Sequence, residues 1–315
     1  MRRHTGMDAH PPMLACVRVY SYPLLWKEAN EPDRPSPSVR IRCASRTGSA
    51  SIVDGLGHIQ DQPTKPIAMQ GQHYLLLGAT GASGVEFIQQ VLEEAAQKPV
   101  PHVTLFIRSG SESKLPSAAL DHANFRLVEG SLADPQAIQK ALAADEKFPT
   151  ATIVVSFLGA YMTLKPLFTR DKSHPIADAF TSSILPTMKA SNVSRIIALS
   201  TPTGCYSAEE AKTVPWKWWF YMQMPRLFAP QGNSEMAGIA NAVISVGNKD
   251  RDLEWTVFRV PHLTDGLRDA AVVAGLLDQN YTASLDLSRG SLVKWMFNEV
   301  NEKAWIRGTP MLANP

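Results

Sequence analysis

Residues 73–84 read HYLLLGATGASG. An apolar run leads directly into glycines at 78, 81 and 84, and an amphipathic stretch over 82–97 follows. The physical logic of this order is narrow. A strand that turns sharply into a helix leaves the helix's first backbone N–H groups without carbonyl partners, and the helix dipole adds partial positive charge there. Glycine lets the backbone close on an anion and lets the helix pack on its strand. The G-x-x-G-x-x-G spacing in a strand–loop–helix context therefore predicts a Rossmann-type pyrophosphate site. Its expected members are Gly78, Thr80, Gly81, Ala82, Ser83 and Gly84, with the Thr80 and Ser83 hydroxyls as extra donors.

Outward from this motif the same alternation continues. Short β-branched and apolar runs lie at 73–78, 103–108, 125–129, 152–157, 195–200 and 255–260, with helical stretches at 82–97, 135–145, 174–191 and 233–249 between them. Asp134-Pro135 supplies an N-cap and a first-turn proline. Strands of this kind separated by helices predict βαβ units. The expected architecture is α/β: a doubly wound, mostly parallel Rossmann sheet in one domain over 69–315, with a small C-terminal substrate lobe, a last helix at 288–300 and a final strand at 304–308.

Upstream the pattern stops. Residues 1–68 hold eight of the 23 prolines and show no sustained period, which predicts a mostly disordered N-terminal extension. Its arginines leave an organelle presequence open, and Asp8, Glu28, Glu31 and Asp33 argue against one. A net charge of +2 without basic blocks excludes a nucleic-acid binder. Cys16, Cys43 and Cys205 have neither disulfide-framework nor zinc spacing, so a reducing, cytoplasmic location and no metal are expected. No apolar run nears the ~18 residues of a membrane span.

The tip of the second strand bears on cofactor choice. NAD binders commonly place an acid there for the ribose 2′-hydroxyl. Here Arg108 and Ser109 follow the strand and Lys114 is close, a set suited to the 2′-phosphate of NADP(H). Ser131 and Leu132, after the third strand, are expected beside the adenine.

With these pieces in place the chain resembles the NAD(P)H-binding group of atypical short-chain dehydrogenases/reductases, which includes biliverdin reductase B (a flavin reductase) and nitrogen-repression-regulator-like proteins. It is also similar in layout to fungal averufin oxidase-like enzymes of aromatic polyketide pathways. The resemblance covers 73–308 and is carried by GATGASG at 78–84, IRSGSESKLP at 107–116, EGSLAD at 129–134, SFLGA at 156–160, RIIALST at 195–201 and FRVPHLTDG at 258–266. It implies that Leu158 and Gly159 lie beside the nicotinamide ribose, that Thr201 with Ser200 occupies the place of an active-site serine, and that Pro261-His262 matches a Pro-His pair. Ser131 stands where the group usually has Asp. The stretch 206–232 has no counterpart in the small flavin reductases.

Typical short-chain reductases carry Tyr-x-x-x-Lys after the fifth strand, where the lysine assists the tyrosine as proton donor. Beyond residue 200, Tyr206 is followed by Glu210 and Tyr221 by Pro225. Tyr161 and Lys165 have the spacing but follow the fourth strand. That leaves Thr201, His262 and Ser200 as the catalytic candidates. Within the insert, PWKWWFYMQMPRLFA at 215–229 reads as a lid over a planar aromatic substrate stacked on Trp216, Trp219 and Tyr221, as an interfacial patch, or as core. The expected function is that of an NADPH-dependent oxidoreductase acting on a planar aromatic small molecule. The alternative is a non-catalytic NADP(H) sensor that binds a protein partner. Oligomeric state is left open.

Overall fold

Strand β4 (His73–Leu77) is buried along its whole length, as a central parallel strand covered on both faces must be. In the computed structural model, which describes residues 41–44, 50–53, 59–62, 71–96, 100–159, 173–204 and 207–315, it sits third from one edge of an eleven-stranded sheet. On one side lie β5 (His102–Ile107) and β6 (Phe125–Glu129). On the other lie β7 (Ile153–Ser156), β8 (Arg195–Ser200), β9 (Glu254–Arg259) and β13 (Met311–Ala313). All seven run parallel. Strand order reverses between β4 and β7, so the loops after those strands open a crevice at the carboxyl edge of the sheet. This is the doubly wound fold expected.

Helices cover both faces. Ala82–Ala95 buries Phe87, Ile88 and Val91 on one stripe. Asp134 caps Pro135–Leu142 by accepting from the Gln136 amide at 2.9 Å, the start that the Asp-Pro pair predicts. Pro175–Ala179, Phe180–Ile184 and Leu185–Ala190 follow without a break, with a π-helical turn in the middle. Pro230–Lys249 lies against β8 and β9, and Arg289–Glu302 against the glycine-loop helix.

Two parts of the sheet differ from expectation. The strand expected at 304–308 contributes only a bridge from Gly308 to Thr256, and the true final strand is Met311–Ala313. Left-handed backbone at Arg307 turns the chain before it can pair, and Pro310 lacks the N–H a ladder needs. Beyond β13 the sheet turns antiparallel: β11 (Val273–Gly275), then β1 (Ile41–Ala44), β2 (Ala50–Val53) and β3 (Ile59–Gln62). The last three fall in 1–68, where the sequence suggests no element. Four-residue strands are too short to display a period of two over neighbouring turns.

The C-terminal lobe has its own small apolar cluster, in which Trp218 and Met222 pack with Leu277, Tyr281, Ala283 and Met311. A buried ion pair ties it to the sheet. Arg259, fully buried at the end of β9, donates from Nη2 to Glu210 Oε1 at 2.5 Å and from Nε to the Thr309 carbonyl at 3.0 Å. The Leu277 amide donates to the same Glu210 oxygen at 2.8 Å. Burial pushes the Glu210 carboxyl up, but the Arg259 charge and the Ser207 and Leu277 amides outweigh it and hold the group below the ordinary carboxylate range. Such a group stabilises the fold at neutral pH and loses that contribution as the pH falls through the carboxylate range.

Glu210→Ala strips a buried guanidinium and a buried amide of their acceptor. It is expected to cost about 3–5 kcal/mol in urea unfolding at pH 7. The difference from wild type should shrink in acid, where Glu210 is protonated. An equal loss at all pH values would mean that the charge is not what matters.

Candidate dinucleotide and substrate site

The glycine loop is held in place by contacts that only hydrogen side chains permit. Gly78 has φ +84°, a conformation side chains rarely adopt, and a Cβ there would lie 2.9 Å from the Phe157 carbonyl carbon at the end of β7. A Cβ on Gly84 would overlap the Gly78 carbonyl oxygen and approach the Ala79 Cα to 2.8 Å. The Gly81 amide closes the turn onto the Gly78 carbonyl at 3.1 Å, and the Val85 amide donates to Gly81 at 2.8 Å. Gly81 is the N-cap and brings no capping side chain, so among the described residues no side chain takes the amides of Ala82, Ser83 and Gly84 in the helix's first turn. Ala82 is exposed, Thr80 partly exposed and Ser83 nearly buried. This cradle of free amides at a positive helix end fits a pyrophosphate.

Arg108 follows β5 directly and is exposed. Among the described residues its guanidinium has no carboxylate partner. The turn after it is held from the neighbouring strand. Glu129, at the tip of β6, accepts from Ser109 Oγ at 3.1 Å and from the Gly110 amide at 3.3 Å. The Ser109 hydroxyl expected for the 2′-phosphate is therefore engaged with an acid, and the expected cationic contact reduces to Arg108 and the exposed Lys114 on the turn Glu112–Lys114. Gly130 lies against Phe106 and Ala137 with no room for a Cβ. Ser131 is exposed, its hydroxyl accepting from the Ala133 amide at 3.3 Å, while Leu132 packs on the core.

On the other side of the crevice, Leu158 donates its amide to Ser156 Oγ at 3.3 Å, and Gly159 faces Met236, whose sulfur would be 3.7 Å from a Cβ. Ser200 and Thr201 end β8 but differ sharply. Ser200 is fully buried and donates to the Met236 carbonyl at 3.0 Å. It pins the Pro230–Lys249 helix to the strand, which corrects its place among the catalytic candidates. Thr201 is partly exposed and starts a hydroxyl chain: its Oγ1 is 3.0 Å from Thr203 Oγ1, which bonds Asn233 Oδ1. Thr203 donates to Asn233 Oδ1, so Thr201 donates to Thr203 and keeps its lone pairs as acceptors.

His262 opens β10 (His262–Thr264), which pairs with β12 (Asp286–Ser288) in parallel, His262 opposite Asp286. Its Nδ1 donates to Asp286 Oδ1 at 2.9 Å, leaving the exposed Nε2 as the working nitrogen. Burial first, and the charge of Asp286 second, push the Tyr221 hydroxyl up, so Tyr221 stays protonated beside the pair. Nothing local in the sequence points to Asp286, because two three-residue strands 24 positions apart bring it there.

The aromatic segment becomes the helix Trp216–Phe228. At about 100° per residue, Trp216 and Trp219 fall on a different side from Tyr221. Trp216 and Trp219 are exposed, Tyr221 is half-buried, and Trp218 and Met222 are core. The three rings expected to stack one substrate therefore do not share a face, which corrects that expectation. Tyr161 and Lys165 lie outside the described residues. Among those residues no helix is long and apolar enough to cross a membrane, and no cluster of potential metal ligands exists.

This fold and this loop define a dinucleotide-binding Rossmann protein. The model of the NAD(P)H-binding family matches residues 78–303, and the chain belongs to that family. Among solved structures it is similar to a short-chain dehydrogenase/reductase from Veillonella parvula in complex with NADP, at 19% identity and TM-score 0.53 over 78% of this chain and 95% of that one. It is also similar to the oxidoreductase ylbE from Lactococcus lactis, at 14% identity and TM-score 0.50 over 78% and 91% of the two chains. No curated protein matches it.

Gly84→Val is expected to abolish NADP(H) binding in isothermal titration calorimetry, because the added carbons displace the Gly78 carbonyl and open the cradle. Ser131→Ala, on the exposed rim, should change affinity by less than about fivefold, the worth of roughly one neutral hydrogen bond. Unchanged binding by Gly84→Val would remove the loop from the site.

Proposed function

We propose that the protein is an NADPH-dependent oxidoreductase of the atypical short-chain type. Its substrate would be a planar aromatic carbonyl or quinone compound of the polyketide or flavin kind. The observation that carries this reading is the gathering, on one edge of the sheet, of the amide cradle at 82–84 and two polar groups with chemistry to offer, Thr201 and His262.

A reduced nicotinamide bound in the crevice supplies a hydride. The residues of this chain do the rest. Arg108 and Lys114 select the 2′-phosphate by charge, and two acids oppose them, Glu112 on the turn and Glu129 at the tip of the neighbouring strand. Leu158 and Gly159 give the ribose side an apolar, uncrowded wall. Asp286 fixes the tautomer and direction of His262, whose Nε2 orients the substrate oxygen and, protonated, hands it a proton. Thr201, whose own proton is taken up by Thr203, accepts from the hydroxyl that the reduction forms. Tyr221 offers a protonated phenol and a ring face at the margin. Orientation of the substrate supplies the rate that a Tyr-x-x-x-Lys acid supplies elsewhere.

Loss of NADPH absorbance with quinones, anthrones and flavins tests the reading. Turnover with at least one is expected; tight NADPH binding without any turnover would favour the alternative, a cofactor-sensing protein. Given a substrate, Asp286→Asn should lower kcat while leaving NADPH affinity unchanged. A variant with wild-type kcat would remove the pair from the chemistry. Arg108→Ala should weaken NADPH by roughly 1.5–3 kcal/mol, the worth of a hydrogen bond to a charged group, with NADH little affected. An equal loss for both cofactors would show that Arg108 is not the 2′-phosphate contact.

A further inference from the structure

One surface has no part in the cofactor site. The helix Trp216–Phe228 is fastened on one side by Trp218 and Met222, each 1% exposed. On the other side six large apolar side chains stand in solvent: Trp216, Trp219, Phe220, Met224, Leu227 and Phe228, from 43% to 82% exposed. At about 100° per residue they form a broad stripe over one half of the helix surface, with the half-buried Gln223 inside it, Lys217 between Met224 and Phe228 near one edge, and Arg226 at the other. Soluble monomers rarely keep a contiguous apolar patch of this kind without a use for it.

The charges decide what covers it. Between Glu210 and Glu235 the chain has no acidic residue, and it has three basic ones, Lys212, Lys217 and Arg226. A second copy packed two-fold on the stripe would set these cations against their own images, with no acid in the segment to receive them. An anionic lipid surface is complementary on both counts. Indole and phenyl rings enter the headgroup boundary, and the flanking cations meet lipid phosphates and carboxylates.

We propose that this helix is a membrane-interface anchor, which lays the exposed stripe of Trp216–Phe228 into the surface of an anionic bilayer. No span is involved. The anchoring is independent of the redox reading and holds for a catalyst or a sensor alike.

The test is flotation of the full chain with vesicles of phosphatidylcholine, with and without phosphatidylserine, read beside tryptophan emission. Binding to the phosphatidylserine vesicles is expected, with a blue-shifted emission, weakening as salt rises. Trp216→Ser/Phe220→Ser and Lys217→Glu/Arg226→Glu should each lower vesicle affinity by at least about tenfold. Both pairs leave Trp218 and Met222 in place, and unchanged NADPH binding verifies that the variants fold. Three results would overturn the anchor. One is wild type that floats with neither vesicle. Another is variants that fold and bind vesicles as wild type does. The last is a stable dimer in sedimentation velocity that the same substitutions dissociate, which assigns the stripe to a second copy.

Discussion

The carbonyl oxygen of Gly78 occupies the space that a side chain at position 84 would need, and the backbone of Phe157 occupies the space that a side chain at 78 would need. These two close approaches seat the first helix against β4 and β4 against the end of β7. They are steric and tolerate no compromise, because backbone atoms are on both sides of each. Their consequence is electrostatic. The helix begins hard against the sheet edge, so its first-turn amides at Ala82, Ser83 and Gly84, which no capping side chain takes, lie beside the place where strand order reverses.

The rest of the edge is arranged around that anchor. Parallel register carries the ends of β5, β7, β8 and β9 to the same level, which places Arg108, Leu158, Thr201 and His262 along one rim. Buried polar groups hold the rim without taking part in it. Ser200 fastens the Pro230–Lys249 helix, and the Arg259–Glu210 pair fastens the lobe that carries the aromatic helix. The groups proposed to act are the neighbours of these fastenings: Thr201 next to Ser200 and His262 three residues after Arg259. A rigid, fully bonded residue beside a free one positions the free one at low entropic cost.

Much of this was legible in the residues. The first six parallel strands, the glycine loop and the Asp134 cap rest on local rules of period, turn chemistry and capping, and they lie where those rules put them. What escaped is non-local. Asp286 reaches His262 through a pairing of two three-residue strands, and Glu129 reaches Ser109 across the β5–β6 register. Burial separates Ser200 from Thr201, which no adjacent-residue pattern distinguishes. The aromatic run was ambiguous for the same reason. Composition marked it as important, but only the helix geometry divides Trp218 and Met222, turned inward, from Trp216 and Trp219, turned out.

The account thus turns on one claim: the first-turn amides after Gly81 hold the pyrophosphate of a nicotinamide dinucleotide. A crystal structure of the complex with NADP addresses it directly. The account predicts pyrophosphate oxygens within hydrogen-bond distance of the Ala82–Gly84 amides, with the 2′-phosphate against Arg108 and the nicotinamide between Gly159 and Thr201. A dinucleotide seated elsewhere, or one whose pyrophosphate makes no contact with those amides, would contradict it.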